Sequence, residues 1–299
     1  MATRPTISIG LPVFNGENYL AVALNSLQEQ TYEDFEIIVS DNASTDGTEE
    51  IARGLAARDR RIRYVRNAKN LGANRNYNRT FALALGPYFR WHAHDDVCGP
   101  KYLELCLGVL ENDPSVVLAH TRTDYVDRNG DPLIRVTGGF LDPDGYIERL
   151  VTDDHAPAML SSARPHVRLD AIVNRMSVFF DVFGLVRSAD MRRTMALQNY
   201  YGADKVFLAE LALLGKIVRL DTGGFDRRCH NEASTRARSY KDLATWSDST
   251  RSFDFYPALI MRGYFNAVWS SDLPTRDRAH CLAVVAKRFG SPYRLIRGR

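Results

Sequence analysis

"TISIGLPVFNGENYLAVALNSLQEQTYEDFEIIVSD", residues 6–41, reads as a strand, a helix and a second strand in succession. Residues 6–14 are apolar at most positions, as in a buried strand, and 18–30 carry Leu20, Leu24 and Leu27 at helical spacing. Residues 35–41 return to a β-branched run that ends in Asp41. The rhythm then repeats: 45–59 predicts a helix capped by Thr45 or Asp46, 62–66 a strand, 73–85 a helix, 88–93 a strand, 99–112 a helix and 116–120 a strand. Such alternation predicts an α/β fold with a mostly parallel sheet covered by helices on both faces. Open sheets of this kind bind ligands beyond the carboxyl ends of their strands, where strand order reverses. Four polar loops collect there, at 12–17, 41–46, 67–72 and 95–96.

After about residue 121 the rhythm loosens. "DYVDRNGDPLIRV" has the look of a hairpin turning at Asn129-Gly130. Residues 138–165 are rich in Gly, Pro and Asp, as in a ligand-covering loop. Helical stretches at 166–176, 188–197 and 203–214 bracket the apolar 182–187, a strand pair is expected over 216–229, and helices follow from about 239. No internal repeat or low-complexity tract interrupts the chain.

Composition sets outer limits. With 299 residues, 45% hydrophobic and 25% charged, the chain can bury a substantial core. A net charge of +3 is far from the basic density of a nucleic-acid binder, so no nucleic-acid partner is expected. Cys98, Cys106, Cys229 and Cys281 form no CxxC pair, which favours reduced thiols in a cytoplasmic protein. The N-terminal "MATRPTISIGLPVF" does not resemble a signal peptide, and no apolar run approaches ~20 residues.

"FRWHAHDDVCGP", residues 89–100, sets Asp95 beside Asp96 at a strand end. Adjacent carboxylates suit a hard divalent cation, which cancels their repulsion and is commonly shared with substrate phosphates. They equally suit a helix N-cap followed by a first-turn acid.

"PVFNGENYL", "VSDNASTDGT", "NLGANRNYNRTFALALG", "WHAHDDVCGP" and the later "GADKVFLAELALLGKI" together resemble, in order and spacing, the inverting family-2 glycosyltransferases of the GT-A fold. The resemblance is strong over 6–120 and moderate over 180–235. It implies a Rossmann-like nucleotide-sugar-binding half at 1–120, an acceptor half at 121–238 and a helical C-terminal extension at 239–299. It implies that Pro12, Val13 and Glu17 meet the base and ribose of a nucleotide diphosphate sugar and that Asp41 accepts a hydrogen bond from the base. Arg75 and Asn78 fall near the nucleotide and sugar, and Asp95 matches the last aspartate of the DxD motif, which binds Mn²⁺ or Mg²⁺. The motif's first aspartate is here Ala93, so Asp96 or His94 stands as a compensating group. Asp204 matches the catalytic base of the family's "ED" motif, whose glutamate is here Ala203, and His230 lies where relatives place a histidine near diphosphate or metal. Read without the resemblance, Asp204 is a helix N-cap, Arg227 and Arg228 are solvated strand arginines, Trp91 and His92 are core residues, and Tyr200 and Tyr201 either pack in the core or stack on a sugar.

Absent motifs narrow the alternatives. No P-loop, no GxGxxG after the first strand and no HExxH occur, and the first loop lacks the Gly/Arg character of a sugar nucleotidyltransferase. A nucleotide-sugar-binding protein without turnover is the other reading that Ala93 and Ala203 leave open. A processive polymerase is disfavoured by the missing QxxRW signature. Lys287, Arg288, Arg294, Arg297 and Arg299 form a basic tail that is either a solvated terminus or a peripheral contact with an anionic membrane carrying a lipid-linked acceptor. The acceptor is otherwise a sugar hydroxyl, and Asp181 and Glu232 are the reserve candidates for the base.

Overall fold

The computed structural model describes residues 4–136, 139–141, 147–149, 156–176, 179–230, 239–247 and 255–289. The first half runs β1 (Ile7–Val13), α1 (Leu20–Gln28), β2 (Phe35–Asp41), α2 (Thr48–Ala56), β3 (Ile62–Arg66), α3 (Ala73–Ala82), β4 (Tyr88–Trp91), β5 (Val97–Cys98), α4 (Tyr102–Asn112) and β6 (Val116–Val126). Then follow β7 (Ile134–Val136), β8 (Gly139–Leu141), β9 (Ile147–Arg149), α5 (Ala156–Leu160), α6 (Pro165–Asp170), β10 (Leu185–Arg187), α7 (Ser188–Met191), α8 (Ala203–Leu214), β11 (Lys216–Arg228), α9 (Tyr240–Ser247), α10 (Tyr256–Trp269) and α11 (Thr275–Phe289).

Eight strands form one mostly parallel sheet in the order β3-β2-β1-β4-β10-β6-β11-β5, with β10 and β5 antiparallel to their neighbours. Alternate residues feed two cores. Ile7, Ile9 and Leu11 of β1 and Ile37 and Val39 of β2 meet Leu20, Leu24 and Leu27 of α1 and Leu103, Cys106 and Leu110 of α4 on one face. Phe89 and Trp91 of β4 meet Phe207 and Leu211 of α8, Ile260 and Tyr264 of α10 and Cys281 and Val285 of α11 on the other. On that second face α3 presses close to β1: a Cβ at Gly10 would lie 2.1 Å from Thr80 Oγ1. All four cysteines are buried and free. No helix among the described residues is long and apolar enough to cross a membrane.

Several expected boundaries move. The strand pair expected over 216–229 is one long strand, β11, running beside a β6 that extends to Val126, with bulges near Gly223. A helix expected over 188–197 stops at Met191, and β5 separates Asp96 from α4. The 129–130 turn forms as expected, with Asp127 Oδ1 accepting the N–H groups of Asn129, Gly130 and Asp131 at 2.8–2.9 Å. Part of 138–165 is strand, pairing β7, β8 and β9 into a small antiparallel sheet. Helices α10 and α11 share the core of α6 and α8, which joins the stretch after 239 to the second half of the sheet. Lys287 and Arg288 stand in the last turn of α11, while Arg294, Arg297 and Arg299 lie outside the described residues.

Glu210 on α8 anchors the segment before that helix by accepting the Met195 N–H at 3.0 Å. Burial pushes its carboxyl up from 4.5 to about 7. The native chain then holds a proton that the unfolded chain releases between those values, so stability falls as pH rises from about 4.5 to 7. Glu210→Gln is therefore expected to raise stability at pH 8 by on the order of 2 kcal/mol and to flatten that slope. Melting curves of both proteins across the pH range check this, and parallel curves would refute it.

Candidate functional site

The strand order reverses between β1 and β4: β1 pairs with β2 on one side and with β4 on the other, both in parallel. The β1–β4 ladder ends at Gly10↔Trp91, two residues before Pro12, which has no N–H to offer. The chains diverge beyond it, and a crevice opens at the place where open α/β sheets hold ligands.

Asp95 and Asp96 share this mouth but face different partners. Asp96 is fully buried and turned toward β11, where its Oδ1 accepts the Arg228 N–H at 3.0 Å and the Arg227 Nη1 at 3.3 Å. Its Oδ2 is buried with no hydrogen-bond partner. Asp95 Oδ2 instead lies 2.8 Å from His230 Nε2 and 3.9 Å from Arg227 Nη1. Burial alone would raise Asp95, but His94, His230 and Arg227 hold its carboxyl well below the usual range, while burial drives Asp96 upward. The pair is no helix cap, because β5 intervenes and α4 begins only at Tyr102. Of the expected metal set, Asp95 and His230 are paired, while Asp96 is engaged by Arg227 and by the Arg228 main chain of β11.

Those arginines are not the solvated strand residues that a sequence reading allows, since both are buried. Arg228 donates Nε to the Asp95 carbonyl at 2.9 Å and Nη1 to the carbonyls of Asp127 and Arg128 at 3.1 and 3.0 Å. It also lies over the Tyr19 ring at 4.9 Å, and Tyr19 packs 4.8 Å from the His230 ring. One buried guanidinium thus fixes the Asp95 turn, the 127–128 turn and the first loop together. His94 packs against that loop, where a Cβ on Gly16 would lie 2.6 Å from its ring. Tyr19 is missed by the sequence reading, although it sits in the "NGENYL" loop; its partner is supplied from β11.

Asp204 is the second residue of α8, half-buried, with Gly202 at the cap position in a left-handed conformation (φ 81°). The helix cap is therefore the glycine, not the aspartate. Burial raises the Asp204 carboxyl against the pull of the Lys205 ammonium. The phenol of Tyr77 on α3 is raised by burial and then by the charges of Asp95, Asp96 and Asp204, so one ring senses all three carboxylates. Ala203, where a glutamate is expected, is buried in the α8 core, and Ala93 is buried too. Asp181, a reserve base, is committed to Arg219, with 2.6 and 2.5 Å contacts to both oxygens. Glu232 lies outside the described residues.

On the β2 side, Asp41 is fully buried. It accepts the Ser44 N–H at 2.8 Å, the Tyr64 hydroxyl at 2.6 Å and the Arg66 guanidinium. Burial opposes its charge, but these partners bring the carboxyl below its usual range. The first and second loops are tied together: Glu17 Oε2 accepts the Gly47 N–H at 2.7 Å and Thr48 Oγ1 accepts the Gly16 N–H at 2.8 Å. Pro12 and Val13 end β1 beside them. Asn78 uses its amide on the main chain of Leu197, at 2.7 and 3.1 Å, and so braces the segment before α8; Arg75 is exposed on the same helix. Trp91 and His92 are core residues, as read from sequence, with Trp91 Nε1 donating to the Tyr77 carbonyl at 2.9 Å. Tyr200 is in the core, and Tyr201 packs edgewise on Tyr256 and Trp246.

Residues 8–168 match glycosyl transferase family 2. An uncharacterized glycosyltransferase of Methanocaldococcus jannaschii is 33% identical over 132 residues, covering 44% of this chain and 46% of that one. The chondroitin synthase of Escherichia coli is 32% identical over 126 residues, 42% of this chain and 18% of that enzyme. The chain thus matches less than half the length of these relatives. Among solved structures, Staphylococcus aureus TarS 1–349 with UDP-GlcNAc superposes with a TM-score of 0.64 at 18% identity, over 95% of this chain and 71% of that one. The Pyrobaculum calidifontis mannosyltransferase with GDP-Man and Mn²⁺ gives 0.54 at 14% identity, over 96% and 88%.

Proposed function

Because the chain belongs to glycosyl transferase family 2, we propose that it moves a single sugar from a nucleotide diphosphate donor to an acceptor hydroxyl, with inversion at the anomeric carbon. The observation that carries this reading is the pairing of Asp95 Oδ2 with His230 Nε2 at 2.8 Å at the sheet's switch point. A carboxylate and an imidazole nitrogen 2.8 Å apart fit a divalent ion that takes its other ligands from phosphate and water. Asp95 and His230 would hold Mn²⁺ or Mg²⁺, which when bound supplies positive charge to the departing diphosphate.

The remaining work falls to the chain. The acceptor oxygen bonds to the anomeric carbon as the bond from that carbon to the diphosphate breaks, and the nucleoside diphosphate leaves with the electron pair. The hydroxyl proton passes to Asp204, whose raised proton affinity suits a base. Arg227 and Arg228 keep the Asp95 turn in place, and the interlocked loops carrying Pro12, Val13, Glu17 and Asp41 receive the base and ribose. Arg75 is exposed on the helix that carries Asn78, and Asn78 contributes by bracing the segment before α8.

A thermal-shift comparison of UDP-GlcNAc and GDP-mannose, each with and without Mn²⁺, tests the reading. A rise in melting temperature that needs both sugar nucleotide and Mn²⁺ is expected, since a ligand that binds the native state stabilises it by mass action. No rise with either nucleotide would overturn it. Asp41→Asn should weaken nucleotide binding ~10-fold, because the loss of a charged acceptor releases Arg66 and the 44–48 turn. Calorimetry checks this, and unchanged affinity would remove Asp41 from the nucleotide site.

A further inference from the structure

His166, Asp277 and His280 form a second cluster of donor side chains, distinct from every residue of the crevice. His166 is the second residue of α6, and Asp277 and His280 stand one turn apart on α11, on one face of that helix. The packing of α11 against α6 brings one ligand atom from each within 4.8 Å of the others. The two imidazole rings lie 5.1 Å apart at 66°. His166 Nδ1 is buried and has no hydrogen-bond partner in the protein. Burial, followed by His280 and the Arg164 guanidinium, lowers the proton affinity of His166 against the pull of Asp277 and Asp170.

We propose that His166, Asp277 and His280 bind a zinc ion that staples α11 to α6. Two imidazoles and one carboxylate are a donor set that zinc takes in tetrahedral geometry, with the fourth position left to water. Donor atoms in such a site stand ~3.3 Å apart, given bonds of ~2.0–2.1 Å, so the three side chains draw together when they take up the ion. Entry is open, because His280 is exposed and the other two are half-buried. The ion would satisfy the orphaned nitrogen of His166 and link the described C-terminal helix to the helical layer under the second half of the sheet.

The test uses the full-length Asp95→Asn variant beside the wild type, each stripped of metal and then titrated with Co²⁺ or Zn²⁺, because the imidazole of His230 lets these ions enter the crevice of the wild type as well. Asp95→Asn should still take up ~1 equivalent of zinc with a rise in melting temperature, and Co²⁺ should give both proteins the visible absorption of a four-coordinate nitrogen–oxygen site. In the Asp95→Asn background, His280→Gln and Asp277→Asn should lose that absorption and the zinc-dependent rise while melting normally without metal. Absence of the Co²⁺ band in Asp95→Asn would overturn the proposal, whatever the other variants do. So would its persistence when a folded His166→Gln/His280→Gln double variant is made in that background.

Discussion

Asp204→Asn is expected to lower sugar transfer by ~10²- to 10⁴-fold, the usual contribution of a positioned general base, with donor and metal affinity unchanged. The geometry sharpens this expectation. Gly202 holds the cap position of α8, and asparagine keeps an acceptor oxygen for the main-chain N–H groups that Asp204 meets in the first turn, so the helix start should persist. The Asp204 carboxyl is raised by burial, so the amide also removes a charge that the surroundings disfavour, and the melting temperature should stay level or rise. The wild-type rate should fall on acidification at a pH above the ordinary carboxylate range, because protonated Asp204 cannot accept the hydroxyl proton. Transfer rate, donor affinity and melting temperature measured on this one variant separate a base from a bystander. Wild-type transfer would retire Asp204, and Asp181 could not replace it, since Arg219 engages both of its oxygens.

Asp95→Asn is expected to lower metal-dependent donor turnover at least ~10²-fold, the scale seen when a single electrostatic contact to developing charge is removed. The volume is conserved and the amide oxygen can still meet His230, so the fold should persist. What is lost is the anionic oxygen that stands beside His230 Nε2 at 2.8 Å. Asp96 cannot stand in for it, because both Arg227 and the Arg228 main chain hold it on the β11 side. Calorimetric titration with Mn²⁺ in the presence of a nucleoside diphosphate should show weakened binding. Equal Mn²⁺ affinity together with near-normal turnover would rule out Asp95 as the ligand.

The first half of the molecule was legible because its information is local. Ile7, Ile9 and Leu11 alternate with Ser8 and Gly10, and Leu20, Leu24 and Leu27 recur at helical spacing, so the strand and helix periods declare themselves within a few residues. Once those periods define parallel strands, the loops after them must gather at one end of the sheet, which brought Pro12, Asp41 and Asp95 into one neighbourhood before any coordinates. The second half carries weaker local signals. A strand pair is expected over 216–229, yet the backbone passes Gly223 through bulges as one strand because β6 continues alongside and supplies the ladder.

Side-chain roles were the part that only the tertiary structure decided. Asp95 and Asp96 are chemically identical neighbours, and nothing in the run "HDDV" says which partner each one takes. The choice is made by β11, which places His230 against Asp95 from 135 residues away and closes Arg227 and Arg228 over Asp96. Asp181 is likewise decided from a distance, by Arg219 engaging both of its oxygens. His166, Asp277 and His280 drew no attention in the sequence because only the packing of α11 on α6 makes them neighbours. Periodicity reports how a segment lies against its own sheet or helix; the partner of a buried charge is fixed by which distant element packs there, because desolvation makes an unpaired charge costly and the fold must supply its counterpart.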